Sequence, residues 1–364
     1  MLRAWNNFWF APTPCFDLAV VRIVSCVAAL FYAWYYRDLH AVVDGLGKMP
    51  NETYDPFLLF KLLNAPFGWG TGADGVWVGR PPAEFVSGVF TVFVVATIMA
   101  MIGLLTNISL FVAGLSLLYT ALYVYGFGDF HHPMPVMIIA LLAFSLSPAG
   151  RVLSVDSLIR NRGRHVDVLS EWSIFAGWPL KLVMWLFSLF YLSAVFSKLS
   201  RGGLDWANGY TLQWYLARAG SAKGQDFGMW LSQHHMLILL TQIGVLVFQA
   251  TFFLCILFPK LRWIYVPAGL ALHISIYITL GAHFFTWIGL YSVFIPWSVV
   301  ALWLGRTRSP SPAIYGRRAA NVCGNFEWRR GDDRLRRRLP LLLALRHHGS
   351  LAGLDWPGAA GERA

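Results

Sequence analysis

Lys198 closes an apolar run, Trp178–Phe196, whose only other charge is Lys181. A cation in that place has two readings. The butyl stem can lie in hydrocarbon while the ammonium reaches the headgroups, which makes the residue an anchor. Alternatively, desolvation disfavours the charged form, and the neutral amine serves as a base towards a bound substrate. A glycine-rich break and an Asp205-Trp206 pair follow it directly.

The histidines are the other candidates for proton chemistry. His131-His132 precedes an apolar stretch at what would be a membrane surface, where imidazoles are commonly just solvated. His273 lies about eleven residues into another apolar run, roughly 16 Å deep at the helical rise. An ionisable group at that depth points to function, and the structural alternative is a core hydrogen bond to Ser275 or a neighbouring helix. His283 is placed nearer the surface, and His234-His235 reads as a surface pair. No metal is expected: none of these has the i, i+4 spacing of a helical site, and adjacent residues diverge by about 100°. Cysteines 15, 26, 255 and 323 form no CxxC pair, so neither a disulfide framework nor a zinc site is implied. The glycine-rich 68–79 segment lacks the Lys-Ser/Thr of a phosphate loop.

The elements that must position these groups are membrane helices. The chain is 57% hydrophobic and 13% charged, against roughly 25% charged for a soluble domain. Its mean hydropathy is +0.55. Apolar spans are expected at about 16–36, 85–105, 108–127, 134–146, 178–199, 235–258, 263–281 and 284–304. The fourth is short, so it is expected to begin at Phe130 and run bent past Pro133 and Pro135. Met1–Pro14, with Trp5, Phe8, Trp9 and Phe10, reads as an interfacial segment without a cleavage signal. Asp17 and Arg22 fall in the first span five residues apart, so a direct pair needs bent side chains, and both are given structural roles. The fold class is therefore all-α: an integral membrane bundle of about eight transmembrane helices with a basic cytoplasmic tail. Residues 1–305 form the membrane domain and 306–364 a mostly disordered tail. That tail holds twelve arginines against five acids. Such an excess beside a membrane helix suits anionic lipid rather than nucleic acid.

Several stretches resemble the vitamin K-dependent γ-glutamyl carboxylase and its bacterial relatives, the horizontally transferred transmembrane (HTTM) domain proteins. They are Tyr191-Leu-Ser-Ala-Val-Phe-Ser-Lys198-Leu199 with Asp205-Trp206 and Gly209-Tyr210; Leu141-Leu-Ala-Phe144 with Ser154-Val-Asp156; and His273 with Gly281, Phe284 and Tyr291. The spacer Ser200–Leu204 is longer than in that pattern. The resemblance implies that Lys198 is the catalytic base and that His273 and one of His131 or His132 tune it. It also implies that Asp205, Trp206 and Tyr210 bind substrate. A reduced, vitamin K-like quinone would be the co-substrate. A quinol or other lipid-soluble molecule would then undergo lysine-base oxygenation or epoxidation. Protein carboxylation is not expected, because that enzyme grips its substrate with a large soluble region for which this tail is too short. Two non-enzymatic readings stand beside this one: a membrane scaffold of the same fold, and a small-molecule transporter.

Charge sets the expected topology. Arg151–Arg164, Lys260, Arg262 and the tail fall on one side if both termini are cytoplasmic in the cell membrane. His131-His132 and Lys198 then share the outer end. Single cysteines at positions 203 and 72 should react with an impermeant maleimide from outside, and those at 163 and 316 only after permeabilisation. Finding 203 and 163 on the same side would break the eight-span arrangement.

Overall fold

The structure is a computed structural model, and it describes residues 2–33, 38–67, 69–71, 77–78, 80–130, 133–164, 167–282 and 284–305. Within the compact unit Met1–Val300, the chain is mostly helical. In order come α1 (Leu2–Trp9), α2 (Cys15–Phe31), α3 (Leu39–Gly47), α4 (Leu58–Asn64), α5 (Ala83–Ile102), α6 (Thr106–Tyr125), α7 (Pro133–Ser145) and α8 (Val155–Arg160). They are followed by α9 (Gly177–Gly202), α10 (Tyr210–Lys223), α11 (Asp226–Ser232), α12 (His235–Thr251), α13 (Leu254–Leu257), α14 (Arg262–Leu280), α15 (Phe285–Leu290) and α16 (Trp297–Trp303). Two minimal strand pairs and several short 3-10 segments accompany them among the described residues. The first joins Thr13–Pro14 to Trp172–Ser173 and ties the start of α2 to the approach to α9. The second pairs Gly70 with Val78 and Thr71 with Trp77, in the glycine-rich segment.

Among the described residues, four helical stretches are long and apolar enough to cross a membrane: Ala83–Ile102, Thr106–Tyr125, Gly177–Ala207 and Pro259–Leu280. Two bent pairs, α11 with α12 at 104° and Thr286–Phe294 with α16 at 76°, raise the number to six if each pair counts as one span. The expected span at 284–304 is thus broken. Pro296 has no N–H for a helix to use, and it forces Ile295 before it into the extended region. The 134–146 span also differs: α7 starts at Pro133 rather than Phe130, with both prolines in its first turn, where their missing donors cost nothing. α2 has 17 residues and α7 has 13.

Apolar side chains lie on both the inner and outer surfaces of the helices, as expected of a bundle whose solvent is lipid. Leu110, Ala113, Leu117 and Ala121 of α6 are buried, while Ile108, Phe111 and Leu115 of the same helix are exposed. α1 lies against α9, where the Lys181 amine donates to the Phe8 carbonyl and sits 5.2 Å from the Phe8 ring centroid.

Polar groups inside the bundle fix its joints. Arg22 of α2 is fully buried and donates to the carbonyls of Ala149 at 2.8 Å and Leu153 at 2.5 Å, pinning the α7–α8 connection. Asp17 accepts from the Ser298 backbone N–H at 2.6 Å, at the first turn of α16. The two charges, considered as a pair in the sequence, are thus engaged with different backbone segments. At the α5–α6 turn, Asp156 accepts from the Leu105 N–H at 2.8 Å, the Thr106 N–H at 2.7 Å and the Thr106 hydroxyl at 2.6 Å. It supplies the orphan donors at the start of α6 with an acceptor from another helix. Gly103, at φ +76°, closes α5 there, and a Cβ on it would meet that of Ser154 at 2.2 Å.

Burial opposes ionisation of Asp156, but the hydrogen bonds from Thr106 and Leu105, with Arg22 nearby, outweigh it and hold the carboxyl below its usual range. Asp156→Asn should therefore lower thermal stability near neutral pH by about 1 kcal/mol, the low end for a cap because water screens the carboxylate. A carboxylate with a depressed folded-state pKa contributes fully above its unfolded value and loses that contribution as pH falls through the folded one. Melting curves of wild type and variant should accordingly stay apart down to the unfolded value of 3.8 and converge below it. Curves that keep their separation throughout would exclude this role.

Candidate functional site

The last turns of α9 carry Lys198. Gly203, at φ +56°, then turns the chain into a short 3-10 segment, Gly203–Ala207, which brings the Trp206 ring to 5.1 Å from the Lys198 amine. A cation, or an amine donor, over an indole face is attracted by the ring quadrupole. The amine donates to Gln249 Oε1 of α12 at 2.7 Å. Seven residues earlier on α12, the Gln242 side-chain nitrogen donates to the Trp206 backbone carbonyl. Seven residues are two helical turns, so both glutamines lie on the α12 face towards α9. Both are buried. Gln242 Oε1 has no hydrogen-bond partner among the described residues. Lys198 is half-buried and makes no ion pair among the described residues.

Two turns before Lys198 on the same helix, Tyr191 begins a second buried network. Its hydroxyl lies 2.8 Å from His273 Nε2 on α14 and 2.5 Å from the Tyr291 hydroxyl. Tyr191 has one proton to give, so it donates to one neighbour and accepts from the other. Phe187, Phe252 and Trp287 pack around the Tyr191 ring. The Trp287 ring runs nearly parallel to that of His273, at an interplanar angle of 11°. His273 Nδ1 has no hydrogen-bond partner among the described residues. The network depends on Gly269: a Cβ there would stand 1.9 Å from the Tyr291 oxygen.

The groups singled out in the sequence are therefore divided. Lys198 and Trp206 come together. His273 is deep in the bundle, bonded to a neighbouring helix rather than to Ser275, whose hydroxyl donates to the Leu272 carbonyl. Its link to the lysine-bearing helix is Tyr191, about 10 Å along α9 from Lys198 at the helical rise over seven residues. Asp205 is exposed. Tyr210 stacks on His235 with ring centroids 4.4 Å apart, and His235 Nδ1 lies 3.1 Å from Gln213 Oε1. His131, His132 and His283 lie outside the described residues.

The family model of the HTTM domain matches residues 75–299. The chain belongs to the HTTM domain family. No curated protein and no solved structure matches it. The HTTM match contains Tyr191, Lys198, Trp206, Gln242, Gln249, His273 and Tyr291, while Asp17 and Arg22 precede it.

Gln249 and Gln242 were not among the residues picked from the sequence. Their signal was there: two amides a heptad apart in an otherwise apolar helix, each needing a partner once buried. Tyr191 stood within the lysine-bearing motif, but its bond to His273 crosses 82 residues. Tyr191→Phe leaves both the imidazole and the second phenol short of a partner, so it should cost about 1–3 kcal/mol of stability. Tyr291→Phe removes only the terminal link and should cost less. Thermal denaturation in detergent tests the order; an equal or reversed pair would mean that the three groups do not act as a chain.

Proposed function

We propose that this HTTM domain protein acts on a quinol, or another lipid-soluble ring bearing an ionisable hydroxyl, with Lys198 as the base. One observation carries this reading: the Lys198 amine is held by a neutral amide and an indole face, with no carboxylate paired to it among the described residues. An acceptor without charge orients the amine but does not fix a proton on it as an ion pair would. The buried Gln242 Oε1 is an acceptor open to a donor on a ligand, and the Trp206 face suits a flat ring.

In this scheme the amine takes the hydroxyl proton and becomes an ammonium, leaving an electron-rich oxyanion on the ring. Dioxygen is the oxidant that then adds to the ring, in keeping with the resemblance to carboxylase-like chemistry. His273 and one of His131 or His132 would tune the proton transfer, and Asp205 and Tyr210 would flank the way in from lipid. The arrangement belongs to an eight-span protein of the cell membrane with both termini cytoplasmic and residues 306–364 as a basic tail against anionic lipid. The chemistry then occurs at the outer end of the bundle, where an apolar substrate enters sideways.

A second reading, a membrane scaffold without chemistry, draws support from the Tyr191–His273–Tyr291 network, which is buried and serves packing by itself. One experiment separates the two. The protein is placed in lipid nanodiscs with a reduced naphthoquinone, and quinol loss and dioxygen uptake are followed. Lys198→Ala and Lys198→Arg should each lower the rate by about 10²-fold or more, the usual contribution of a general base, with melting temperature retained. Wild-type and variant rates that coincide would leave the scaffold.

A further inference from the structure

We propose that Gln249 is the positioning residue for the Lys198 amine, and that Gln242 does the same for Trp206, so that α12 builds the site with two amides. The proposal rests on Lys198 being the reactive group, and it adds what holds that group in place.

Three observations on separate elements meet here. The amine of α9 donates to Gln249 Oε1 at 2.7 Å. The Trp206 ring, reached through the turn at Gly203, stands 5.1 Å from the same amine. The Gln242 side-chain nitrogen donates to the Trp206 carbonyl and fixes the segment carrying that ring. A lysine at the end of an apolar helix otherwise has a free route to the headgroups, and its flexible stem favours taking it. The half-buried position of Lys198 therefore needs a holder, and Gln249 occupies that place. The choice of residue matters chemically. Glutamate has the same shape but would form an ion pair and keep the amine as an ammonium, whereas glutamine fixes direction alone. No acid is available from α12, whose only titratable residue is His235 at its first position. The charged groups on the lysine's own segment are Lys181 and Arg201 of α9 and Asp205 beyond it, and α10, packed on α12, carries Arg218 and Lys223.

The test reads the lysine directly and needs no substrate. Purified full-length protein in nanodiscs is treated briefly with an amine-acylating reagent at near-neutral pH, and Lys198 labelling is measured by peptide mass spectrometry relative to exposed Lys223. Gln249→Leu should free the amine towards water and raise the ratio at least threefold. Gln249→Glu should pair it and lower the ratio at least threefold. Gln249→Met, of similar length, replaces the leucine variant if that protein does not accumulate. Gln242→Leu should shift the ratio in the same direction as Gln249→Leu, by a smaller factor. Opposite signs for Leu and Glu at one position are a signature that general loosening of the bundle does not produce. Ratios that move in the same direction for both, or stay unchanged, would overturn the assignment. Opposite signs in a protein that consumes no quinol would keep Gln249 as the holder of the amine and remove the proposed reaction instead.

Discussion

Arg22 is the group on which the membrane domain most depends. A guanidinium with no exposed surface, inside a bundle whose exterior is lipid, must find its partners within the protein. It finds them in the carbonyls of Ala149 and Leu153, which join α7 to α8. That fixes the approach to α8, from which Asp156 reaches the first turn of α6, and it brings Ser154 against Gly103 at the end of α5. Five helices and two turns are located by one buried cation and one partly exposed carboxylate. Removing the buried cation leaves the carbonyls of Ala149 and Leu153 without their donor.

The same rule applies at the other end of the domain. Lys198, Gln249, Gln242 and Trp206 form one set, and Tyr191, His273 and Tyr291 another, each closed by helices distant in sequence. The two differ in what remains free. In the second set the phenols are engaged and the residue is largely core, apart from His273 Nδ1. In the first, a half-buried amine is held by one glutamine, and the second glutamine, two turns away on α12, has an amide oxygen without a partner among the described residues. Of the two, only the first combines a reactive group with partial access. That contrast is why the proposed chemistry is placed at Lys198 and not at the deeper histidine.

The breaks in the helices follow from single residues. Pro296 divides the final apolar stretch, and Pro133 and Pro135 shorten α7 by occupying its first turn. Hydropathy alone treats such stretches as continuous, because proline is apolar enough to pass. Backbone donors decide the matter, and they are visible in the sequence once proline position is weighed against helix length.

The sequence by itself determined that this is a helical membrane protein, through the scarcity of charge and the length of its apolar runs. It also determined the family, through the motif around Lys198 and the His273 helix, and it singled out the lysine as the group to explain. Local pattern suffices for these because each is written within about one helix length. What only the tertiary structure decided is which polar groups meet. Asp17 and Arg22 are close in sequence yet serve different joints, while Tyr191 and His273 are 82 residues apart and share a hydrogen bond. Gln249 became part of the site only when α12 was laid against α9. The physical reason is that a buried polar side chain takes whatever partner the packing presents. Helix packing depends on the fit of whole apolar faces, which no single motif encodes.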